Sequence, residues 1–323
     1  MRRRDFIAAL GGAIIWPLEI RAQQAGKIHR LGVLSPSSAS VASIRAVTVP
    51  ELAKAGFVEG QNLFVDVRVG SAAQMTELAR ALVGSNPDAV IAVSDVAIVA
   101  LKAASSSVPT VMSFGTGDPV AAGFAASVTR PGGNITGVTM SAPETNTKRL
   151  TLLHEAIPKA RRIAALTVEA RRYEAILTQM RVQGASAGIE LLTFFAETAS
   201  AYPSAFAAMK SAGAEALAIV SAPEFNRDAE ILAALAVEAR LPAVCEWSHM
   251  AAQGCLFGYG PNQTELRRRT ADYVVRIFRG TPPAEIPIEG PTRFSFTINL
   301  KVAERLGIKL PTGILLRADE VIE

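Results

Sequence analysis

Residue types on which most enzymes depend are scarce in this 323-residue chain, which has only three histidines and two cysteines. His29, His154 and His249 fall in separate predicted elements without metal-ligand spacing, so we expect no metal site. The chain has no G-x-S-x-G elbow, no Walker phosphate loop and no cluster of acid, base and nucleophile. We therefore expect a protein that is not an enzyme and uses no cofactor.

Charged residues make up only 19% of the chain and aromatic residues 6%. The formal net charge of +4 falls to +2 without residues 1–22, which leaves 29 basic against 27 acidic residues. These basic residues are scattered, so we expect no nucleic-acid partner. Half of the residues are apolar, mostly aliphatic, which favours α/β packing with buried strands beneath alanine-rich helices.

Residues 1–22 have the order of an export signal. Three arginines, Arg2 to Arg4, precede an almost wholly apolar run at 6–18, and Ala22 offers a small residue for cleavage. Residues 3–7 also resemble the twin-arginine signature, so export uses that pathway or the general secretory one. An uncleaved anchor is the alternative, but roughly 13 apolar residues are too few to span about 30 Å of hydrocarbon. We predict cleavage near Ala22 and a periplasmic protein.

The cysteines, Cys245 and Cys255, would then lie in an oxidising compartment. They either form a disulfide or remain two buried thiols. The sequence leaves both alternatives open, because it does not give the distance between their Cα atoms.

Short apolar runs alternate with helical patterns in two successive halves. We predict five strands at 28–34, 63–69, 89–93, 110–113 and 135–140, and then others at 163–168, 189–194, 216–220, 243–245, 256–259 and 294–298. A helix is predicted at 41–55, with an irregularity at Pro50, and another at 264–279. The repeated rhythm indicates two Rossmann-like lobes with doubly wound parallel sheets, joined by hinge strands.

Polar loops follow the strands of the first half, and carboxyl ends of parallel strands meet at one ligand-binding edge. The candidate ligand contacts there are Ser35, Ser37, Ser94, Asp95, Gly115, Thr116 and Asp118. Hydroxyls and backbone N–H groups at helix starts complement a carboxylate, which we expect Ser35, Ser94 and Thr116 to bind. The alternative is that these residues only cap helices.

The corresponding loops of the second half supply the candidates Glu169, Arg171, Glu224, Phe225, Glu246 and Trp247. Phe225 and Trp247 are predicted to cover the apolar body of the ligand, and charged neighbours to select its polar substituents. For the two aromatic residues, packing within their own lobe is the alternative.

Several motifs in chain order resemble one family of transport proteins. They are RRRDFI at 2–7, RAQQ at 21–24, LAKAGFVEGQN at 52–62, GDPV at 117–120, RPGGNITGV at 130–138, INLK at 298–301 and RADEVI at 317–322. This set is similar to the ABC transporter substrate-binding protein family that includes the tryptophan and tyrosine importers. The resemblance implies a type I periplasmic-binding fold with three hinge crossings and a small ligand between the lobes.

The resemblance also implies a monomer that delivers its ligand to an ABC permease in the inner membrane; a sensor that presents the ligand to a membrane receptor is the alternative. Lobe 1 is expected at 26–138 plus about 259–290, and lobe 2 at 139–258 plus about 291–323. Members of known substrate mostly take aromatic amino acids. The family's Asn-Pro pair is replaced here by residues 166–171, LTVEAR, so an acid without an amino group is an alternative to an amino acid.

Overall fold

The structure of the protein is a computed structural model that describes residues 27–115, 117–171 and 173–323. The predicted export signal lies outside these ranges, as does Thr116. The strands are β1 (His29–Ser35), β2 (Leu63–Val69), β3 (Ala89–Val93), β4 (Thr110–Gly115), β5 (Ile135–Thr139), β6 (Arg162–Thr167), β7 (Glu190–Phe195), β8 (Ala216–Ile219), β9 (Ala243–Cys245), β10 (Phe257–Pro261), β11 (Phe294–Asn299) and β12 (Glu320–Ile322).

Helices alternate with these strands. They are α1 (Ser38–Ser43), α2 (Val49–Lys54), α3 (Met75–Gly84), α4 (Ser94–Ala104), α5 (Ala142–Ala156), α6 (Glu174–Ser186), α7 (Tyr202–Ser211), α8 (Pro223–Arg227), α9 (Ala229–Glu238), α10 (Ser248–Ala252), α11 (Gln263–Phe278), α12 (Leu300–Leu306) and α13 (Thr312–Leu315). Short 3₁₀ turns lie at Ala72–Gln74, Ala199–Ala201 and Pro283–Glu285.

Two sheets define two lobes, as the sequence predicted. Lobe 1 contains a five-stranded sheet in the order β2-β1-β3-β4-β5, and every neighbouring pair is parallel. Lobe 2 contains a seven-stranded sheet in the order β12-β11-β10-β9-β8-β6-β7, in which only the β10–β11 pair is antiparallel. The central strands are buried along their whole length, because helices cover both faces.

The chain crosses between the lobes three times. The first crossing follows β5 and leads into α5, and the second follows β10 and leads into α11, which packs on β4 and β5. Glu289 then bridges to Val138 of β5, after which the chain returns to lobe 2 as β11. These connections place the carboxyl edges of both sheets on one cleft.

Two helices differ from the sequence prediction. The helix expected at 41–55 is divided into α1, a π-helical segment at Ile44–Thr48, and α2. The wide turn directly precedes Pro50, whose ring clashes with the carbonyl four residues earlier in an ordinary α-helix. Within the loop predicted after β8 at 221–227, residues Pro223–Arg227 instead form α8, because Pro223 presets the backbone of the first turn.

Cys245 and Cys255 form a disulfide, with their Cα atoms 6.2 Å apart. This settles the alternative that the sequence left open. Within the described ranges, no helix combines the length and the apolar character needed to cross a membrane.

Candidate functional site

A cleft lies between the carboxyl edges of the two sheets, the place where open α/β sheets bind small ligands. Its lobe 1 side is lined by Pro36, Ser37, Ser40, Val93, Ser94, Asp95, Phe114, Gln263 and Arg267. Its lobe 2 side is lined by Ala222, Pro223, Asn226, Glu246 and Trp247, and Met140 lies at the first crossing. An apolar middle is thus flanked by polar and charged groups.

Ser94 begins α4 at the carboxyl end of β3 and faces the cleft. Its backbone φ of +71° is unusual for a residue with a side chain, and the residue is only 5% exposed. The Ser94 hydroxyl oxygen is buried and has no hydrogen-bond partner in the part of the chain that the structure describes. The Ser94 hydroxyl therefore lies at the cleft beside the amino end of α4, which has no side-chain cap among the described residues.

Arg267 supplies a buried positive charge to the lobe 1 side. Its Nη1 donates to the Ser113 hydroxyl over 2.9 Å and its Nε to the Ser43 hydroxyl over 3.3 Å. The guanidinium carbon lies 4.1 Å from the ring centre of Phe114, in a cation–π contact. Within residues 27–115, 117–171 and 173–323, no acidic side chain forms an ion pair with Arg267. Burial lowers the pKa of Arg267 to about 9, so the group remains charged at neutral pH.

Glu246 and Trp247 follow β9 directly and form the lobe 2 side. The Trp247 ring meets Phe114 of lobe 1 edge-to-face, with centroids 5.7 Å apart, so the two lobes touch across the cleft. Burial raises the pKa of the Glu246 carboxyl to about 7, although the Arg149 charge, the Ser221 hydroxyl and a backbone N–H partly offset this effect.

Arg149 of α5 lies behind Glu246. Its guanidinium donates to the Asn146 side chain over 2.9 Å, to the Ser221 hydroxyl over 2.8 Å, and to two backbone carbonyls, Tyr259 over 2.6 Å and Glu246 over 3.2 Å. Burial lowers the pKa of Arg149 to about 10, and the nearby Glu246 opposes that change. All three guanidinium nitrogens thus have protein acceptors.

The cleft brings together five of the residues that the sequence singled out: Ser37, Ser94, Asp95, Glu246 and Trp247. Ser35 is fully buried behind the lobe 1 side, where its hydroxyl holds the backbone of Ser37. Gly115 ends β4 close to the Asp95 side chain.

Other predicted contacts lie away from the cleft. Asp118 is exposed and accepts from the backbone N–H of Val120. Glu169 and Arg171 are exposed in the segment between β6 and α6. Phe225 packs in the core of lobe 2 with its ring 6.1 Å from that of Tyr202, the alternative weighed for it above. Glu224, on the same short helix, has a buried carboxylate oxygen but does not line the cleft.

Sequence reasoning missed Arg267, Phe114 and Asn226, which line the cleft. Arg267 had a detectable signal, because it shares one helical stripe with Thr270, Ala271 and Val274, all buried. An arginine in a buried stripe of a helix is itself expected to be buried.

Comparisons with known proteins agree with this architecture. Residues 37–322 match the family described as ABC transporter substrate binding protein. No curated protein matches the chain.

Three solved structures share the fold. A conserved domain protein from Vibrio cholerae matches with a TM-score of 0.85 and 24% identity over 91% of this chain and 100% of its own. The ABC domain from Streptococcus pneumonia, solved in complex with L-Trp, matches with a TM-score of 0.83 and 23% identity over 91% and 99%. A ligand-free, open substrate binding protein with adhesive properties from Clostridium difficile matches with a TM-score of 0.70 and 20% identity over 92% and 99%.

A two-lobed α/β protein with a cleft between the carboxyl edges of its sheets has the periplasmic-binding-protein-like fold. The family match covers most of the sequence, and the chain belongs to the ABC transporter substrate binding protein family.

Proposed function

We propose that this chain is the periplasmic component of an ABC importer that captures a small carboxylate-bearing ligand, either an amino acid or an aromatic or aliphatic acid. The observation that carries the proposal is the Arg267 guanidinium, which is buried at the cleft and has no acidic partner among the described residues. A buried charge is costly unless it is paired, and a ligand carboxylate supplies the missing charge.

Two other groups on the lobe 1 side of the cleft also favour an anion. The buried Ser94 hydroxyl and the amino end of α4 are donors on the same lobe, and both favour an anion. We propose that the carboxylate lies between Arg267 and Ser94. Phe114, Trp247 and Met140 would contact the apolar body of the ligand.

Acceptors at the lobe 2 side would bind donor groups of the ligand. Glu246 and the Asn226 side chain line this side, so a hydroxyl, amide or amino group of the ligand has partners there. The Streptococcus neighbour was solved with L-Trp, a ligand that carries both a carboxylate and an amino group.

A thermal-shift screen tests the ligand class directly. Each acid is compared with its carboxamide, starting from L-tryptophan and L-tryptophanamide and continuing with aromatic and aliphatic acids that lack an amino group. A ligand at about 100 times its Kd adds about 2.7 kcal/mol of stability. We expect acids to shift the melting temperature and the matched carboxamides not to do so. Equal shifts from acids and carboxamides would contradict a carboxylate site.

Export is the second part of the proposal, and its test is independent of any ligand. We propose cleavage near Ala22, so mass spectrometry of the native protein should find an amino terminus between residues 23 and 27. An intact Met1 on protein recovered from the periplasm would refute the cleavage.

A further inference from the structure

Two of the lobe 2 residues that line the cleft, Glu246 and Trp247, belong to a loop that the disulfide closes. Cys245 ends β9 directly before them, and Cys255 lies ten residues further along. Both cysteines are completely buried. We call residues 245–255 the disulfide loop; it also contains α10.

Two glycines of β10 allow this loop to lie close to the sheet, because a side chain at either glycine position would collide with the backbone of the loop. A Cβ atom on Gly258 would lie 2.2 Å from the Trp247 carbonyl oxygen, and one on Gly260 would lie 2.1 Å from that of Glu246. Both distances are far inside van der Waals contact. The backbone of Glu246 and Trp247 is therefore seated directly on β10.

Side chains from two other elements hold the same loop. Arg149 of α5 donates to the Glu246 carbonyl over 3.2 Å. Asn299 donates to the Ala251 carbonyl over 2.8 Å from a buried position at the start of α12. The loop is thus held at both ends by the disulfide and along its length by the sheet and two polar side chains.

We propose that the Cys245–Cys255 disulfide is a positioning element of the ligand site, which fixes Glu246 and Trp247 in their binding positions before any ligand arrives. The ligand in this statement is that of the proposed function, but the fixed loop is a property of the protein alone. Because Glu246 and Trp247 are ordered before the ligand arrives, less conformational entropy is lost on binding. The affinity for the ligand therefore depends on the disulfide, although neither cysteine lines the cleft.

The fluorescence of Trp247 can be used to measure how well the disulfide loop is held in place. The chain has two tryptophans, and Trp16 lies in the predicted export signal. In a Trp16→Phe background, all tryptophan fluorescence therefore comes from Trp247, which is 5% exposed and should resist acrylamide quenching. The test compares this background with the Cys245→Ala/Cys255→Ala double variant at 25 °C, and Leu82→Ala serves as a control that weakens the core of lobe 1 remote from the cleft.

We expect the quenching constant of Trp247 to rise at least about twofold in the double variant and to remain unchanged in Leu82→Ala at a comparable loss of melting temperature. Unchanged quenching in a folded double variant would overturn the proposal, and so would an equal rise in Leu82→Ala. If the double variant does not fold, the Trp16→Phe protein is compared before and after reduction of its disulfide, and unchanged quenching in the folded, reduced protein would overturn the proposal in the same way.

Calorimetry with L-tryptophan as probe supplies the second readout. We expect the double variant to bind at least about tenfold more weakly than the background, and Leu82→Ala to bind as tightly as the background. If L-tryptophan does not bind the background protein, the choice of ligand is at fault; the quenching result then decides the positioning role by itself.

Discussion

Among the described residues, each lobe buries one arginine beside the cleft, and these two arginines differ in their partners. Arg149 in lobe 2 is 1% exposed and donates to four protein acceptors, with the Glu246 carboxyl close enough to influence its charge. Arg267 on the lobe 1 side is 2% exposed, but it has two hydroxyl acceptors, an aromatic face and no acidic partner within the described residues.

The difference in partners suggests a test of which arginine stabilises the fold and which one is available to a ligand. Removing Arg149 would leave several buried acceptors and a buried acid without their partner, whereas removing Arg267 would leave only hydroxyls, which rotate toward other partners. We infer that Arg149 stabilises the lobe and that Arg267 stabilises the complex with a ligand. Four measurements test or refine this contrast.

Arg149→Met should have the largest effect, a loss of about 3 to 5 kcal/mol in the free energy of unfolding, because it leaves four buried acceptors without their donor. Urea unfolding followed by circular dichroism measures the loss. Arg267→Met is the matched variant and should change the unfolding free energy by no more than about 1 kcal/mol. Similar losses in the two variants would contradict the division of roles.

Arg267→Met should instead weaken ligand binding, by about 2 to 5 kcal/mol for a carboxylate that pairs with the guanidinium. Calorimetry with the acid that gives the largest shift in the thermal screen measures the change. Arg267→Lys keeps the charge but loses the planar fork, so we expect an intermediate affinity. If Arg267→Met binds the acid as tightly as the parent protein, the carboxylate is bound elsewhere.

The Glu246 carboxyl should make stability depend on pH. Its pKa in the folded protein is raised to about 7 from an ordinary value of 4.5, so the folded state holds a proton that the unfolded state has released. Stability from this group is therefore complete below about pH 4.5 and is lost as pH rises to about 7, by about 2 to 3 kcal/mol.

Unfolding free energies from pH 4.5 to 8 measure this dependence. Glu246→Gln should remove the decline, whereas Glu304→Gln, at an exposed position, should retain it. A decline of the same size in Glu246→Gln would show that another group causes it.

The order of elements was predictable from sequence because aliphatic strands and alternating helices carry strong local patterns. The predictions for β2 and β3 match the structure residue for residue. The division of the helix at 41–55 was only partly predictable, since the position of Pro50 marks an irregularity but not its form as a π-helical segment. The pairing of Cys245 with Cys255 depends on how α10 brings the chain back to the sheet, which no local pattern specifies.

The location of the site, at the carboxyl edges of the sheets, was predictable from the sequence, but most of the side chains that line it were not. Loops after β1, β3 and β9 were expected to face the cleft and do so, whereas the described residues of the loop after β6, at 168–171 and 173, do not line it. Arg267 shows the limit: its stripe on α11 distinguishes it from Arg268 and Arg269, which pair with Glu51 and Glu289, but only the tertiary packing of α11 brings it to the cleft.

A substitution at Ser94 tests a single hydroxyl group on the lobe 1 side of the cleft, and we expect its effect to be the smallest of the four. Ser94→Ala should weaken binding of the acid by about 1 to 2 kcal/mol, because the carboxylate loses one donor. Ser94→Gly serves as the matched variant: it also lacks the hydroxyl, but it relieves the backbone at φ +71°, so it should be the more stable of the two without ligand. Equal affinity losses in both variants, despite different stabilities, would assign the loss to the hydroxyl. A loss in Ser94→Ala that Ser94→Gly restores would instead assign it to the backbone conformation at the start of α4, and the carboxylate would then have to rely on Arg267 and the helix N–H groups alone.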